Sequence, residues 1–540
     1  MTSKGLGTGT GAGDGAGAGQ SFYRGRIPHW EVFPMDRILM RRMGVASASG
    51  ETPAGIPNLP DLPDLPDGQA VEAWQMERLR ETLQHAATHS PYYAARLKGM
   101  DAGVFRTPAD LAMLPRSTAD DIRNFGADMV CVSQDEIARV VTLDTSGTSG
   151  RPKRIFFGQD DLWRTTEFFT TGMQAVACAG DTVMALLPDE RPSSVGRLLA
   201  QSVINMGARP LSGSMTRGAE ALAVQAMEEW VNVVVGSPMH LRAFALGWKS
   251  LGYPAGLIHT VLLCWDAIPE AVVDLLHDIL GCRVLSHWGM TETGLGGALA
   301  CAEGRGMHLR ETDLLVEVAD PETGSLVPDG TWGEIVVTTL CRTAMPLVRY
   351  RTGDYGRILC GPCPCGSPLR RMDRTPGRLQ DDIVLPAGGT GSVTVTDIGT
   401  DTGNGIGIGT EGTLRLIDLD EALLPLYGLA EYEAGWHEPP GYTTKNTAGH
   451  SAPELVEECV VPVLSIELFH AAGVAPDVLR AEAAQRLLAS PVLGSLLAQG
   501  GVLLDMSCTP AKDMSMNHAK RRIRRLAASS LSETVPESRS

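Results

Sequence analysis

Apolar positions recur at helical spacing from Val71 to Lys98, in VEAWQMERLRETLQHAATHSPYYAARLK, so residues three and four apart share one buried stripe. Ser90-Pro91 breaks the run, because proline lacks a backbone donor and disfavours helix in the residue before it. Two consecutive helices are predicted. Further on, the short apolar runs DTVMALLP, VNVVVG, HTVLLCW and CRVLSHWG read as buried strands, and PEAVVDLLHDIL reads as a helix. That alternation predicts an α/β domain with mixed, largely parallel sheets and covering helices. RVVTLD predicts one more strand, and GGVLLDM, close to the end of the chain, another within a smaller α+β region.

The segments between these elements differ in composition. Thr8 to Gln20 is almost pure Gly, Ala and Thr; residues 1–22 read as a flexible tail, and the G-x-G-x-x-G contained there carries no weight because no strand precedes it. IPNLPDLPDLPDG, from Ile56 to Gly68, repeats Leu-Pro-Asp and reads as an extended connector. A Gly- and Thr-rich stretch covers residues 386–412. At 540 residues the chain exceeds what one core organises, so two or more domains are expected. A formal charge of −17 argues against nucleic acid and anionic membrane as partners. No apolar run reaches the roughly 18 to 20 residues of a membrane span, and eleven cysteines without small-scaffold spacing suit reduced thiols. A cytoplasmic protein is the expectation.

Candidate chemistry begins at LDTSGTSGRPKRIFF, Leu143 to Phe157. After strand-like RVVTLD come Thr145, Ser146, Gly147, Thr148, Ser149 and Gly150, then Arg151, Pro152 and Lys153. Glycines let backbone N–H groups converge on a ligand, hydroxyls add donors, and nearby cations supply charge, which together suit a polyphosphate. The mononucleotide pattern G-x-x-x-x-G-K-[ST] is not met, since Pro152 intervenes and no hydroxyl follows Lys153. SHWGMTETG (Ser286 to Gly294) and VRYRTGDYGRI (Val348 to Ile358) each set a carboxylate beside hydroxyls and glycine after an apolar run.

These three segments, in this order, resemble the adenylate-forming superfamily of acyl-CoA synthetases, and most of all the phenylacetate-CoA ligase family. TTLCRTAMPLVRYRTGD and CPCGSPLRRMDRTPGR look like the family's own blocks. The resemblance implies a large N-terminal AMP-binding domain over residues 23–378 and a small, mobile α+β domain over 379–540 that contains the 386–412 insertion. It implies ATP, Mg2+ and coenzyme A as reactants or cofactors, a small carboxylic acid as substrate, and an acyl-AMP intermediate that is passed to a thiol. Aryl or arylacetic acids are favoured, and relatives suggest a homodimer.

Roles carry over by position. Thr145 to Gly150 correspond to the loop over the β- and γ-phosphates, with Lys153 facing the departing pyrophosphate. Thr291 corresponds to the hydroxyl that contacts the α-phosphate, Glu292 to the Mg2+ ligand, Asp354 to the acceptor of the ribose hydroxyls, and Arg378 to a nucleotide-contacting arginine. His287 and Trp288 stand at an aromatic step flanking adenine or the acyl pocket. Lys520, in NHAKRRIRRL, corresponds to the lysine that the small domain delivers, with Ala519 where glycine is usual and Arg521 and Arg522 as competitors. Gln380 stands where the hinge usually has an acidic residue or lysine. Together with the 386–412 insertion, it keeps a second reading open, transfer to a carrier protein or an amine, beside a third, a non-catalytic nucleotide-binding protein. Finally, Cys301, His308, Cys363 and Cys365 present three thiolates and an imidazole, a donor set for structural Zn2+ that some relatives resemble, with Cys360 as an alternative ligand. Charged Asp189, Glu190 and Arg191 either form a solvated loop or read a polar substrate.

Overall fold

The computed structural model describes residues 32–44, 65–143, 151–189, 194–214, 217–303, 305–381, 383–384, 413–437, 463–498, 503–511 and 523–525. The 1–22 tail, most of the Leu-Pro-Asp connector, the loop Thr145 to Gly150, Glu190 and Arg191, the 386–412 insertion and Lys520 lie outside them. After helix α1 (Pro34–Met43), the first predicted helical run forms α2 (Gly68–His89) and α3 (Pro91–Arg96). Asp67 caps α2 by accepting from the Ala70 amide at 2.7 Å. Ser90 ends that helix and caps the next, its hydroxyl accepting from Tyr93 at 3.2 Å. Val71, Gln75, Met76, Leu79, Leu83 and Ala86 form the predicted buried stripe.

Helix α4 (Ala119–Phe125) precedes the hairpin of β1 (Ile137–Leu143) and β2 (Lys153–Gly158), whose strands flank the Ser/Gly loop, and α5 (Gln159–Met173) follows. Then strands and helices alternate as expected: β3 (Thr182–Leu186), α6 (Val195–Asn205), β4 (Arg209–Ser212), α7 (Ala219–Glu228), β5 (Val233–Gly236), α8 (Pro238–Ser250), β6 (Thr260–Leu263), α9 (Glu270–Leu280) and β7 (Arg283–Trp288). These five strands are parallel, in the order β7-β6-β5-β3-β4. Beyond β7 the sheet turns antiparallel through β8 (Ala298–Ala300) and β9 (Met307–Leu309). A separate antiparallel sheet joins β10 (Leu314–Ala319), β11 (Gly333–Thr339) and β12 (Tyr350–Gly356), and β13 (Arg371–Met372) closes the first sheet against β9.

Strand alternation divides the large sheet between two cores. Val233 and Val235 face one with α5 and Phe168; Val234 faces the other with α8 and α9. The second core continues into the C-terminal part, made of the pair β14 (Ile383–Val384) and β15 (Thr413–Leu414), helix α10 (Leu416–Leu423), β16 (Leu429–His437), β17 (Val463–His470), α11 (Pro476–Ala489), α12 (Pro491–Ala498), β18 (Leu503–Pro510) and β19 (Arg524–Arg525). Its four-stranded sheet runs β18-β17-β16-β19. This is the α/β fold with a second α+β unit that the pattern predicts.

The two parts are joined by more than apolar contact. Arg242 on α8 is fully buried and donates to the carbonyls of Leu424 (2.9 Å), Leu426 (2.9 Å), Leu429 (2.9 Å) and Ala430 (3.2 Å). These carbonyls include the end of α10, which no helical N–H satisfies. In the other direction, the Glu421 carboxylate accepts from the Glu270 (2.6 Å) and Ala271 (2.9 Å) amides at the start of α9, an anion at a helix N-terminus. No helix of the described residues is long and apolar enough to cross a membrane.

Candidate active site

Glu292 sits in a single 3-10 turn, Thr291–Thr293, directly beyond the C-terminal end of β7. That is the edge of a parallel sheet where ligands bind in open α/β folds. The turn holds itself: Thr293 Oγ1 accepts from the Met290 amide at 3.0 Å. The Thr291 hydroxyl is engaged by no described residue. Gly294 then reverses the chain at φ 72°, a conformation that favours glycine, and a Cβ there would press on Arg342 Nη2 and Thr165 Oγ1, each 3.2 Å away.

Around Glu292, which is 1% exposed, three side chains from distant segments converge. Lys153, the first residue of β2, pairs its ammonium with the carboxylate. The hydroxyl of Tyr350, at the start of β12, donates to Oε1 at 3.2 Å and lies 3.4 Å from Lys153 Nζ. Arg342 donates to the Glu292 backbone carbonyl at 2.8 Å and stacks 5.1 Å from the Phe157 ring. Burial and the adjacent Glu292 charge push the Tyr350 phenol far above its usual range, so it remains a neutral donor.

Asp354 lies inside β12 rather than after a strand, as the motif reading had it, because the strand continues through left-handed Gly353 (φ 75°). Its Oδ2 accepts from Trp288 Nε1 at 2.9 Å, and its Oδ1 pairs with Arg378 Nε at 3.1 Å. These groups border a cavity of about 70 Å³ that also involves His287, Trp265 and, from the C-terminal part, Arg415. His287 is held neutral: burial, reinforced by Arg310, lowers it to about 4. Its Nε2 has no hydrogen-bond partner, and its ring lies 6.1 Å from Phe168. A second cavity, about 170 Å³ between α2 and β10, contains none of the predicted site residues.

The cysteine–histidine cluster also assembles. Cys301 at the end of β8, His308 in β9, and Cys363 and Cys365 in the loop before β13 bring their donor atoms within 4.8 Å of one another. Cys301 and Cys363 sulfurs are 3.6 Å apart, and Cys365 Sγ is 3.3 Å from His308 Nε2. A tetrahedral ion about 2.3 Å from sulfur needs edges of roughly 3.8 Å, so the set fits. His308 Nδ1 is 3.0 Å from the Leu369 carbonyl, which leaves Nε2 for a metal. The hydrogen bond from Cys365 favours the Cys301 thiolate against the effect of burial. Exposed Cys360, the alternative ligand, is outside the cluster.

Sequence reasoning missed Tyr350, Arg342 and Trp265. Tyr350 stood in view at the head of YRTGD, but its hydrogen bond to Glu292 spans 58 positions. Trp265 takes φ 84°, unusual for a bulky residue, just past the end of β6; its place at the C-terminal edge of the sheet was the available signal.

A model of the AMP-binding enzyme family matches residues 132–343, which span Lys153, Glu292 and the five parallel strands. Over that segment the chain is similar to AMP-binding, adenylate-forming enzymes. The phenylacetate-coenzyme A ligase of Thermus thermophilus is 29% identical over 329 residues, covering 59% of this chain and 72% of that protein. That of Pseudomonas putida is 28% identical over 326 residues, covering 58% and 72%. Among solved structures, 2-hydroxyisobutyryl-CoA ligase in its postadenylation state aligns with a TM-score of 0.64 at 18% identity, covering 88% of this chain and 96% of the other. That likeness is one of fold. Lys153 and Glu292 fall inside the matched segment, and Asp354 lies just beyond it.

Proposed function

We propose that this chain is an adenylate-forming, ATP-dependent carboxylate-CoA ligase that takes an aryl or arylacetic acid and releases AMP and pyrophosphate. The observation that carries the reading is a pair of polar groups built on the two ends of the β7 turn: Lys153 paired with Glu292 after the strand, and Asp354 held by Trp288, the strand's last residue, and by Arg378. Phenylacetate-coenzyme A ligases at 27–29% identity support the thiol acceptor and the acid class.

In the first half-reaction a carboxylate oxygen of the acid attacks the α-phosphorus of ATP. A new P–O bond forms, the bond to the bridging oxygen breaks, and pyrophosphate leaves. Asp354 and Arg378 hold the ribose end, with Trp288 and His287 beside the base or the acyl group. The open Thr291 hydroxyl donates to the α-phosphate, and Lys153 balances charge on departing pyrophosphate together with the loop Thr145 to Gly150. Glu292 would hold Mg2+, which would supply positive charge against the phosphate oxygens. Lys520 contributes a second cation from the C-terminal part. In the second half-reaction the CoA thiolate attacks the acyl carbon, the C–S bond forms, and the bond to AMP breaks.

We also propose that Cys301, His308, Cys363 and Cys365 hold one structural Zn2+. Four protein donors leave no open position, so the ion would brace the loop and take no part in the chemistry. Free thiols at all ten described cysteines suit a reducing compartment such as the cytoplasm.

The test is ATP-dependent pyrophosphate release across a panel of carboxylic acids, with and without CoA. Release that requires an aryl or arylacetic acid, with CoA consumed, is expected. ATP binding without release from any acid would favour a non-catalytic nucleotide-binding protein. Release without thioester formation would favour a carrier protein or an amine as acceptor.

A further inference from the structure

We propose that Trp288 is a positioning residue for ribose recognition: its indole N–H fixes the Asp354 carboxylate so that the lone pairs left over face two adjacent hydroxyls. The inference rests on reading Asp354 as the ribose acceptor. A carboxylate offers about four acceptor sites, two on each oxygen. In this structure one site on each oxygen is already used, Oδ2 by Trp288 Nε1 at 2.9 Å and Oδ1 by Arg378 Nε at 3.1 Å. One site per oxygen remains, which matches a cis-diol.

The two partners contribute differently. Arg378 brings charge, and its side chain is 28% exposed. Trp288 is 5% exposed and has a single donor, so its N–H and the carboxylate depend on each other. The torsion of an aspartate about its last bond is broad and has no sharp minimum of its own. Donors on both oxygens remove that freedom. The indole has room to lie there because residue 297 is glycine: a Cβ at Gly297 would stand 2.4 Å from ring atom Cζ3. Trp288 is therefore built into the antiparallel turn from β7 to β8, and its polar edge is directed at β12.

Calorimetric binding of ATP, 2′-deoxy-ATP and 3′-deoxy-ATP tests this in the full chain without requiring turnover. Wild type is expected to prefer ATP over both deoxy forms. Trp288→Phe keeps an apolar ring and removes the donor; it should weaken ATP binding about tenfold while changing deoxy-nucleotide binding less than about threefold. In an Asp354→Asn background the same substitution should add nothing, since Trp288 acts through that carboxylate. Trp288→Tyr, which keeps a polar ring edge but no N–H at that place, carries the same expectation if the Phe variant does not fold. Equal weakening for all three nucleotides would overturn the proposal and leave Trp288 a packing residue. Full discrimination retained in Trp288→Phe would overturn it too. If wild type does not discriminate, or Asp354→Asn still does, the ribose reading of Asp354 falls and takes this inference with it.

Discussion

Replacing Arg242 by Met probes the joint between the two parts of the chain. Methionine keeps a long unbranched side chain inside the shared core but removes five donors. The lost hydrogen bonds include those to the buried carbonyls of Leu424 and Leu429, each at 2.9 Å, while the Leu426 carbonyl keeps its bond from the Leu429 amide at 3.1 Å. Each carbonyl left buried and unpaired costs about 1 to 3 kcal/mol, and the variant regains part of that by no longer desolvating a guanidinium. A net loss of about 3 kcal/mol is expected, roughly 150-fold in the constant for local opening. The loss should be confined to α10 and the start of β16, because the other contacts of α8, its apolar packing and Lys249 over the Tyr427 ring among them, survive. Hydrogen exchange resolved by mass spectrometry reads this directly: peptides covering Leu416–Leu423 should exchange much faster in the variant, while those covering β3 to β5 stay unchanged. Exchange of α10 within threefold of wild type would refute the claim that Arg242 holds the C-terminal part in this arrangement. Uniform acceleration everywhere would mean that the side chain supports the whole fold and not the joint.

Other consequences are equally direct. Glu292→Gln keeps shape and removes charge; pyrophosphate release should fall roughly a hundredfold or more with the melting temperature preserved, and near-normal release would remove Glu292 from the metal role. Metal analysis of purified protein should find about one Zn2+ per chain, lost in Cys363→Ser together with thermal stability; a metal-free wild type of full stability would refute the cluster. For His287, held at about 4 in the fold against about 6.5 in an unfolded chain, the unfolded state carries the extra proton between those values. Stability therefore rises with pH across that window, is fully present above about 6.5, and falls by up to about 1.4 kcal/mol per unit on acidification. The melting temperature of His287→Gln should drop less steeply between pH 6.5 and 5 than that of wild type, and parallel curves would contradict the assignment.

Much of the architecture was legible because its strands are buried on both faces. Runs such as Val233 to Val235 must then be apolar at every position, and the intervening helices carry an apolar stripe. The carboxylates proposed to bear ligands were legible for a different reason: Glu292 sits in a turn and Asp354 inside β12 next to left-handed Gly353, where glycines and hydroxyls are locally demanded. What escaped was whatever depended on partners far along the chain. Arg242, in HLRAFALGWK, reads like an ordinary charge on an amphipathic helix, and only α10, more than 170 residues later, buries it. Tyr350 and Arg342 read as strand and loop residues until β12 and the turn after β7 bring them to Glu292. The boundary expected at residue 378 marks a change of sheet, yet the second core runs across it, since α8 and α9 share apolar packing with α10 and β16. Hydrophobic periodicity reports that a face is covered and not which segment covers it.

The chain order around β7 connects the cysteine cluster to the two proposed nucleotide carboxylates. β7 ends in Trp288 and leads to Glu292, then returns as β8 to Cys301 and continues through His308 in β9. β12 carries Asp354 and leads to Cys363 and Cys365, and from there into β13, which pairs with β9. The proposed ion would therefore tie the segment after Glu292 to the segment after Asp354, and the Trp288–Asp354 hydrogen bond ties the same two segments on the side of the cavity. With both ties in place, the carboxylate proposed for the metal and the one proposed for the ribose would be held at a fixed separation. Loosening the cluster should then weaken ATP more than a free phosphate, because only a ligand that spans both carboxylates senses their spacing.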